Sequence, residues 1–187
     1  MNASTRGAPA GIIRRMKNSL QSVPVTGHRD APEVTVRPAT LDDIAAIDRL
    51  LKDYATKGKL LSRPETDLYQ SLREFVVVTI DQQVIGCAAL QIFTRQLGEI
   101  RSLAVQSTHA GMGLGSKLVQ SLEKDALRLG LWRLMALTYE VRFFEKLGYG
   151  VVEMKVLPEK VWGACINCPK FRNCDEIAVL KHLQTGP

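Results

Sequence analysis

Three glycines at alternate positions are the part of this sequence best suited to bind an anion. Gly111, Gly113 and Gly115 separate a strand-like segment, residues 99–105, from an amphipathic helical segment that begins near Leu114. Such a loop lets its backbone N–H groups, with those of the first helical turn, converge on a phosphate. A tight strand-to-helix turn without a ligand accounts for the same glycines equally well, so the loop alone leaves both interpretations open.

A carboxylate precedes this loop on the strand-like segment. Strict alternation places Glu99 on one face together with Arg101, Leu103 and Val105. The sequence therefore offers an anion-binding loop beside a strand that carries a carboxylate. The competing interpretation is a solvated carboxylate at a strand edge, paired with Arg101.

Two motifs together resemble the signatures of the GCN5-related N-acetyltransferases (GNAT). The first runs from Leu103 to Val105 and continues through the glycine loop to Ser116. The second is the heptapeptide Phe-Phe-Glu-Lys-Leu-Gly-Tyr at residues 143–149. The two motifs stand at the separation usual for that family, and the resemblance covers about residues 33–157.

The resemblance implies an acetyl-CoA co-substrate and a set of residues that hold it. In the family, the pantetheine arm pairs with backbone groups of the strand, the loop binds the pyrophosphate, and a strand amide steadies the oxyanion of the tetrahedral intermediate. The corresponding cofactor-binding positions are Leu103, Ala104, Val105, Gly111, Met112, Gly113, Leu114, Gly115 and Ser116. One position departs from the pattern, because Ala110 replaces the Arg or Gln that usually opens the loop.

The resemblance also implies which residues transfer protons. Glu99 lies four residues before Leu103, where the histone-acetyltransferase branch of the family carries its base. The Tyr often used as general acid is Phe144 here, so Tyr139 is the replacement candidate for protonating the departing thiolate. The alternative for Tyr139 is a structural tyrosine with its hydroxyl at the rim of the site.

Further segments resemble the acetyltransferase domain of the N-acetylglutamate synthases, in its short, stand-alone form. They include residues 58–63 and residues 157–159. This resemblance implies a small-molecule acceptor, L-glutamate or a similar amino acid. Arginines are the natural bidentate partners of its carboxylates, and the substrate-binding candidates are Arg63, Arg101 and Arg142. Taken singly, each of them also fits a surface arginine.

Three cysteines cluster in a polar insert at about residues 158–175. Cys165, Cys168 and Cys174 include the Cys-x-x-Cys spacing of metal ligands, and a fourth ligand would have to approach in space. The sequence leaves three interpretations open: a structural zinc or iron–sulfur site, a redox-sensitive cluster, or free thiols in a loop. A cytoplasmic setting disfavours simple disulfides.

The composition predicts one folded domain behind a basic extension. The chain has 187 residues and a net charge of +6, but residues 1–29 hold five basic residues and no acidic one. The remainder carries 20 basic residues against 19 acidic ones, so nucleic acid is not an expected partner. Residues 1–32 are predicted to be disordered, with an organelle transit peptide as the alternative. No apolar run approaches the ~18 residues of a spanning helix, so no membrane association is expected and the cytoplasm is the predicted location.

Hydrophobic periodicity predicts the element order β-α-α-β-β-β-α-β-α-β-β. Capping boxes at residues 40–43 and 62–65 mark two helix starts. The last two predicted strands cover residues 149–156 and 175–183. The order matches the GNAT fold, an α/β architecture with a central mixed sheet flanked by helices, and it occupies residues 33–187 as one domain.

The predicted function is acetyl-CoA-dependent N-acetylation of an amino acid, with the α-amine of L-glutamate as first choice. That activity would place the protein in arginine biosynthesis. One alternative is a GNAT enzyme for another amine, such as a peptide N-terminus or a polyamine. The other is a non-catalytic acyl-CoA- or metal-responsive module that uses the cysteine insert as its sensor. The oligomeric state stays open, with a homodimer as one candidate.

Overall fold

Seven strands form one mixed sheet in residues 32–183, the part of the chain that the computed structural model describes. The strands are β1 (Val34–Pro38), β2 (Phe75–Ile80), β3 (Gln83–Ile92), β4 (Leu97–Val105), β5 (Arg133–Thr138), β6 (Gly150–Val151) and β7 (Ile177–His182). Their order in the sheet is β1-β2-β3-β4-β5-β7-β6. All neighbours are antiparallel except the parallel pair β4 and β5. The extension predicted to be disordered lies outside the described residues, apart from Pro32.

Helices pack against both faces of the sheet. The described α-helices are α1 (Ile44–Thr56), α2 (Glu65–Gln70), α3 (Leu114–Arg128), α4 (Val141–Glu145) and α5 (Pro158–Gly163). Successive residues of β2 alternate between two buried clusters, with Val76 in the cluster of α3 and Val77 in the cluster of α1. This period of two is expected of a strand buried on both faces. Among the described helices, none is long and apolar enough to cross a membrane.

The capping box predicted at residues 40–43 forms and ties β1 to the start of α1. The Thr40 N–H donates to Asp43 Oδ2 at 2.8 Å. Arg37 of β1 donates to both carboxylate oxygens of Asp43, at 2.6 and 2.9 Å. These hydrogen bonds from Arg37 hold the pKa of the buried Asp43 carboxyl below its usual value.

The end of the sheet differs from the prediction. Only Gly150 and Val151 pair with β7, and Met154–Val156 forms a 3₁₀ turn instead of continuing the strand. β6 lies at the edge of the sheet, Val151 is 56% exposed, and within residues 32–183 no second strand pairs with β6 to stabilise a longer one. The chain then forms α5, which the sequence did not predict, although Pro158 at its first position suits a helix start.

A bulge breaks the alternation of β4. Ser102 has a φ of 55°, and Ser102 and Leu103 together lie opposite Ala88 of β3. As a result Ile100, before the bulge, and Leu103, after it, both pack against the cluster of α3. Glu99 and Leu103 therefore face opposite sides of the sheet, and the prediction that they share a face was wrong.

The parallel strands β4 and β5 are paired only where they begin. Three residue pairs join them, from Leu97 opposite Arg133 to Glu99 opposite Met135. Gly98 lies inside this junction, where an added Cβ would sit 2.9 Å from Cδ2 of Leu134. Beyond these pairs no further pairing joins the two strands as described, so a cleft opens between them.

We predict that a side chain at Gly98 destabilises the junction. Gly98→Ala should lower the free energy of unfolding by about 1–3 kcal/mol, because the buried leucines around it must shift to admit one methyl group. Gly150→Ala is the matched control, since an added Cβ there meets nothing within 4 Å. Urea unfolding of both variants measures the difference, and equal midpoints would contradict the packing constraint at Gly98.

Candidate active site

The cleft between β4 and β5 holds two adjoining cavities. The loop-side cavity has a volume of about 410 Å³ and includes Gly111 and Gly115 in its wall. The insert-side cavity has a volume of about 760 Å³ and includes Lys160 of α5. Residues that line both cavities form their shared wall: Leu60, Ile100, Arg101, Ser102, Leu137 and Glu176. The two cavities therefore adjoin along this wall.

Glycines shape the loop-side cavity at the start of α3. Gly111 and Gly113 adopt left-handed φ values of +80° and +73°, and a Cβ at either would meet nothing within 4 Å. The N–H groups of the first turn, from Leu114 to Ser116, have no partner within the helix. A negatively charged group at this end of the cavity would be favoured by those N–H groups and by the helix dipole.

The predicted cofactor positions divide between cavity wall and core. Leu103, Val105, Gly111 and Gly115 line the loop-side cavity. Ala104 and Leu114 are buried in the two hydrophobic clusters. The remaining three, Met112 and Gly113 of the loop and Ser116 of α3, are exposed or half-buried. Part of the motif thus supports the fold, and the part that lines the cavity combines two apolar residues of β4 with two glycines.

Tyr54 of α1 forms hydrogen bonds with both backbone groups of Val105. Its hydroxyl donates to the Val105 carbonyl at 2.9 Å and accepts from the Val105 N–H at 3.2 Å. Val105 was expected to pair with an extended ligand, but both of its backbone groups are already bonded in this structure. For Leu103 the expected pairing stays a prediction. The sequence offered no signal for Tyr54 beyond its place on the apolar stripe of α1.

Glu99 lies in the insert-side cavity as half of a buried ion pair. It is 4% exposed, and Nζ of Lys160 lies 2.8 Å from both of its carboxylate oxygens. Lys160 is 8% exposed. The competing interpretation, a solvated Glu99 paired with Arg101, is therefore wrong, because Glu99 is buried and Arg101 donates to Gln91. Removing either member of the pair would leave the other charge buried and uncompensated.

Two of the three predicted acceptor arginines meet at the insert-side cavity. Arg63 donates to the hydroxyls of Ser102 and Ser71, at 3.3 and 3.2 Å, and Arg101 lies on the shared wall. Burial lowers the pKa of Arg63, and the neighbouring Arg101 charge lowers it further. Arg142 is not brought to this site, because it is exposed on α4 and lines neither cavity.

Tyr139 stands at the rim of the loop-side cavity, just after β5. Its hydroxyl donates to Oδ1 of Asp175 at 2.7 Å and accepts from Nζ of Lys170 at 2.8 Å. The hydrogen bond from Lys170 lowers the pKa of Tyr139, but the bond to Asp175 and the nearby carboxylates outweigh it and raise the pKa. Phe144, at the family position of the acid, is buried and also lines this cavity.

Glu176 is a site residue that the sequence reasoning missed. It immediately precedes β7, whose first residue, Ile177, lies opposite Thr138 at the end of β5. This position brings a half-buried carboxylate to the shared wall. Burial raises the pKa of Glu176, and the Glu99 carboxylate raises it further. The sequence signal that could have identified Glu176 is the acidic pair at residues 175–176, directly before the apolar segment that forms β7.

All three cysteines of the insert line the insert-side cavity. Cys165 and Cys168 are half-buried and Cys174 is exposed. Burial raises the pKa of the Cys165 thiol. Within residues 32–183 no group of three or more His, Cys, Asp or Glu side chains could hold a metal ion. The predicted zinc or iron–sulfur site at these cysteines is therefore unsupported, and the structure describes all of them as free thiols.

Known acetyltransferases match this chain over most of its folded part. The model of the acetyltransferase (GNAT) family matches residues 44–149. An uncharacterised N-acetyltransferase of Chlorobaculum tepidum is 39% identical over 153 residues, which are 82% of this chain and 99% of that protein. An amino-acid acetyltransferase of Mycobacterium tuberculosis is 37% identical over 121 residues, 63% of this chain and 69% of that protein.

Solved structures share the architecture. A Mycobacterium tuberculosis protein in complex with CoA has a TM-score of 0.70 and 31% identity, covering 80% of this chain and 99% of that one. The N-acetylglutamate synthase of Neisseria gonorrhoeae, complexed with coenzyme A and N-acetyl-glutamate, has a TM-score of 0.72 and 25% identity over 83% of this chain and only 36% of its own. With the family model and the Chlorobaculum relative in agreement, the chain belongs to the acetyltransferase (GNAT) family.

Proposed function

We propose that the protein transfers the acetyl group of acetyl-CoA to the α-amine of an amino acid, with L-glutamate as the first candidate. The observation that carries this proposal is the pair of arginines at the insert-side cavity, joined through a shared wall to the glycine loop. The names of relatives support it, since several are amino-acid acetyltransferases. Acetylated glutamate would enter arginine biosynthesis.

The loop-side cavity is the proposed site of acetyl-CoA. Its glycines give backbone access, and the start of α3 supplies N–H groups for the pyrophosphate. The thioester would then lie at the shared wall, next to the bulge at Ser102 and Leu103. An N–H group of β4 near Leu103 is the proposed donor to the oxyanion that forms when the amine attacks the carbonyl.

The insert-side cavity is the proposed acceptor site. Arg63 and Arg101 offer planar guanidinium groups to the acceptor's carboxylates, which favours an amino acid over a polyamine. Arg142 is left out of this proposal because it lines neither cavity. The three cysteines would then form part of the wall that contacts the acceptor, rather than a metal centre.

The proposed reaction is direct attack in a ternary complex. The neutral amine forms a C–N bond to the thioester carbon, the C–S bond breaks, and the thiolate leaves with a proton from the new amide nitrogen. Glu99 as the base and Tyr139 as the acid stay predictions. The ion pair of Glu99 with Lys160 is proposed to be required, because it holds α5 as a wall of the acceptor site. The cytoplasmic location and the homodimer likewise stay predictions.

We predict that glutamate is the best acceptor in a direct screen. Wild-type protein with acetyl-CoA should acetylate L-glutamate with a higher kcat/KM than L-glutamine, spermidine or a peptide N-terminus, with the product identified by mass spectrometry. Preference for spermidine would overturn the amino-acid proposal. No product from any amine would favour the non-catalytic alternative.

We predict that a side chain in the loop blocks acetyl-CoA. Gly113→Val should weaken acetyl-CoA binding at least tenfold in calorimetry, because the branched side chain covers the backbone N–H groups of the loop. Gly130→Val is the matched control, since Gly130 also has a left-handed φ, +80°, and equally open surroundings but lies outside both cavities. Equal loss of affinity in both variants would point to backbone strain rather than to the loop.

We predict that Arg63 binds the acceptor. Arg63→Ala should raise the KM for glutamate at least tenfold, because a charged hydrogen bond contributes about 1.5–3 kcal/mol, while the KM for acetyl-CoA stays unchanged. Arg63→Lys should recover only part of the loss, since it keeps the charge without the planar fork. Arg49→Ala, on the exposed side of α1, is the control. A glutamate KM that does not move in Arg63→Ala would place the acceptor elsewhere.

A further inference from the structure

Two glutamates at the proposed reaction centre differ in their partners. Nζ of Lys160 lies 2.8 Å from both carboxylate oxygens of Glu99, so an ammonium already compensates the charge of this carboxylate and contacts both of its oxygens. Glu176 is different. Among residues 32–183, no group donates a hydrogen bond to the Glu176 carboxylate, and no cationic nitrogen forms an ion pair with it.

The position of Glu176 suits contact with both substrates. Because β7 is antiparallel to β5, residue 176 lies where β5 ends and where the cleft is already open. It is the acidic residue of the shared wall, whereas Glu99 lines only the insert-side cavity. An amine that approaches a thioester across this wall therefore passes Glu176.

We infer that Glu176, in place of the predicted Glu99, is the base that takes the proton from the acceptor's ammonium, and that Glu99 acts as a positioning residue through Lys160. This inference rests on the proposed function. In the step, an N–H bond of the ammonium breaks, its electron pair stays on nitrogen, and the proton moves to a carboxylate oxygen of Glu176. The neutral amine then attacks, and Glu176 later returns the proton to solvent.

The charges around Glu176 suit a base. Burial raises the pKa of its carboxyl most, and the Glu99 carboxylate and Asp175 add to the effect. Lys170 and Lys160 act against it and lower the pKa. A base whose pKa is closer to that of an ammonium accepts the proton with a smaller free-energy cost. Because Glu176 must be ionised to act, activity should fall as the pH drops through this raised pKa.

The pH profile of kcat/KM for the acceptor tests the inference. In Glu176→Gln we expect kcat to fall by about 10²–10⁴-fold and the acidic limb of the profile to disappear. Glu99→Gln should also lose activity, since it leaves Lys160 buried without its partner, but it should keep the acidic limb. Glu33→Gln, at the opposite edge of the sheet, should behave as wild type. Loss of the limb in Glu99→Gln together with its retention in Glu176→Gln would overturn the inference and support Glu99 as the base.

A direct titration separates this inference from the proposed function. The ¹³C resonance of a side-chain carboxyl with a raised pKa should be present in the wild-type protein and missing in Glu176→Gln, whether or not glutamate is the acceptor. A Glu176 carboxyl that titrates at or below the ordinary glutamate value would contradict the inference. Failure to acetylate any amino acid would instead contradict the proposed function, and the pH profile would then use whichever amine the screen identifies.

Thermal unfolding of Glu176→Gln tests whether this variant still folds as the wild type does. A carboxyl with a raised pKa makes the folded state less stable as the pH rises through that pKa, because the ionised form is disfavoured by burial. Glu176→Gln removes this effect, so its Tm at pH 7 should equal or exceed that of wild type. A clear drop in Tm would assign Glu176 a structural role and count against the inference.

Discussion

The separation of β4 from β5 after three residue pairs is the constraint on which the rest of this structure depends. Both strands continue past Glu99 and Met135, but no ladder joins them further. The unpaired edges of β4 and β5 need polar partners, because a buried backbone N–H or C=O group without a hydrogen bond lowers the stability of the fold. The hydroxyl of Tyr54 meets this requirement at Val105. Tyr54 and the bulge at Ser102, which interrupts the pairing of β4 with β3, both lie at the cavities that the cleft creates.

The ion pair of Glu99 and Lys160 links this cleft to the insert. α5 and the turns after it pair with no strand of the sheet as described, so side chains must hold the segment in place. Leu157 does so by burial in a cluster with Leu97 and Met135, and Lys160 does so by charge. Two buried charges are costly unless they meet with good geometry. The pair thus makes the position of the insert depend on a carboxylate at the centre of the sheet.

Local features were readable from the sequence, while features set by long-range contact were not. The glycine loop, the capping box at residues 40–43 and the element order as far as β6 follow from short patterns, and the structure confirms them, whereas α5 between β6 and β7 was not predicted. The bulge at Ser102 is invisible to alternation, because it needs a left-handed φ in a residue other than glycine. Lys160 is 61 residues from Glu99 in sequence. Its role depends on α5, a helix too short to show a periodicity.

The loop-side and insert-side cavities are lined by different groups, and this difference affects which acceptor the site can recognise. The loop-side cavity includes the glycine loop, whose backbone N–H groups remain available to a ligand as long as the glycines persist. The wall of the insert-side cavity includes charged side chains such as Arg63 and Arg101, so substitutions there can alter recognition. The pair of Glu99 and Lys160 is different, because the position of α5 depends on it. In this chain Arg63 and Arg101 can attract a carboxylate, and Glu176 can attract an ammonium. An acceptor that carries both groups, as an amino acid does, complements all three charges at once, whereas a polyamine would place cations against two guanidinium groups.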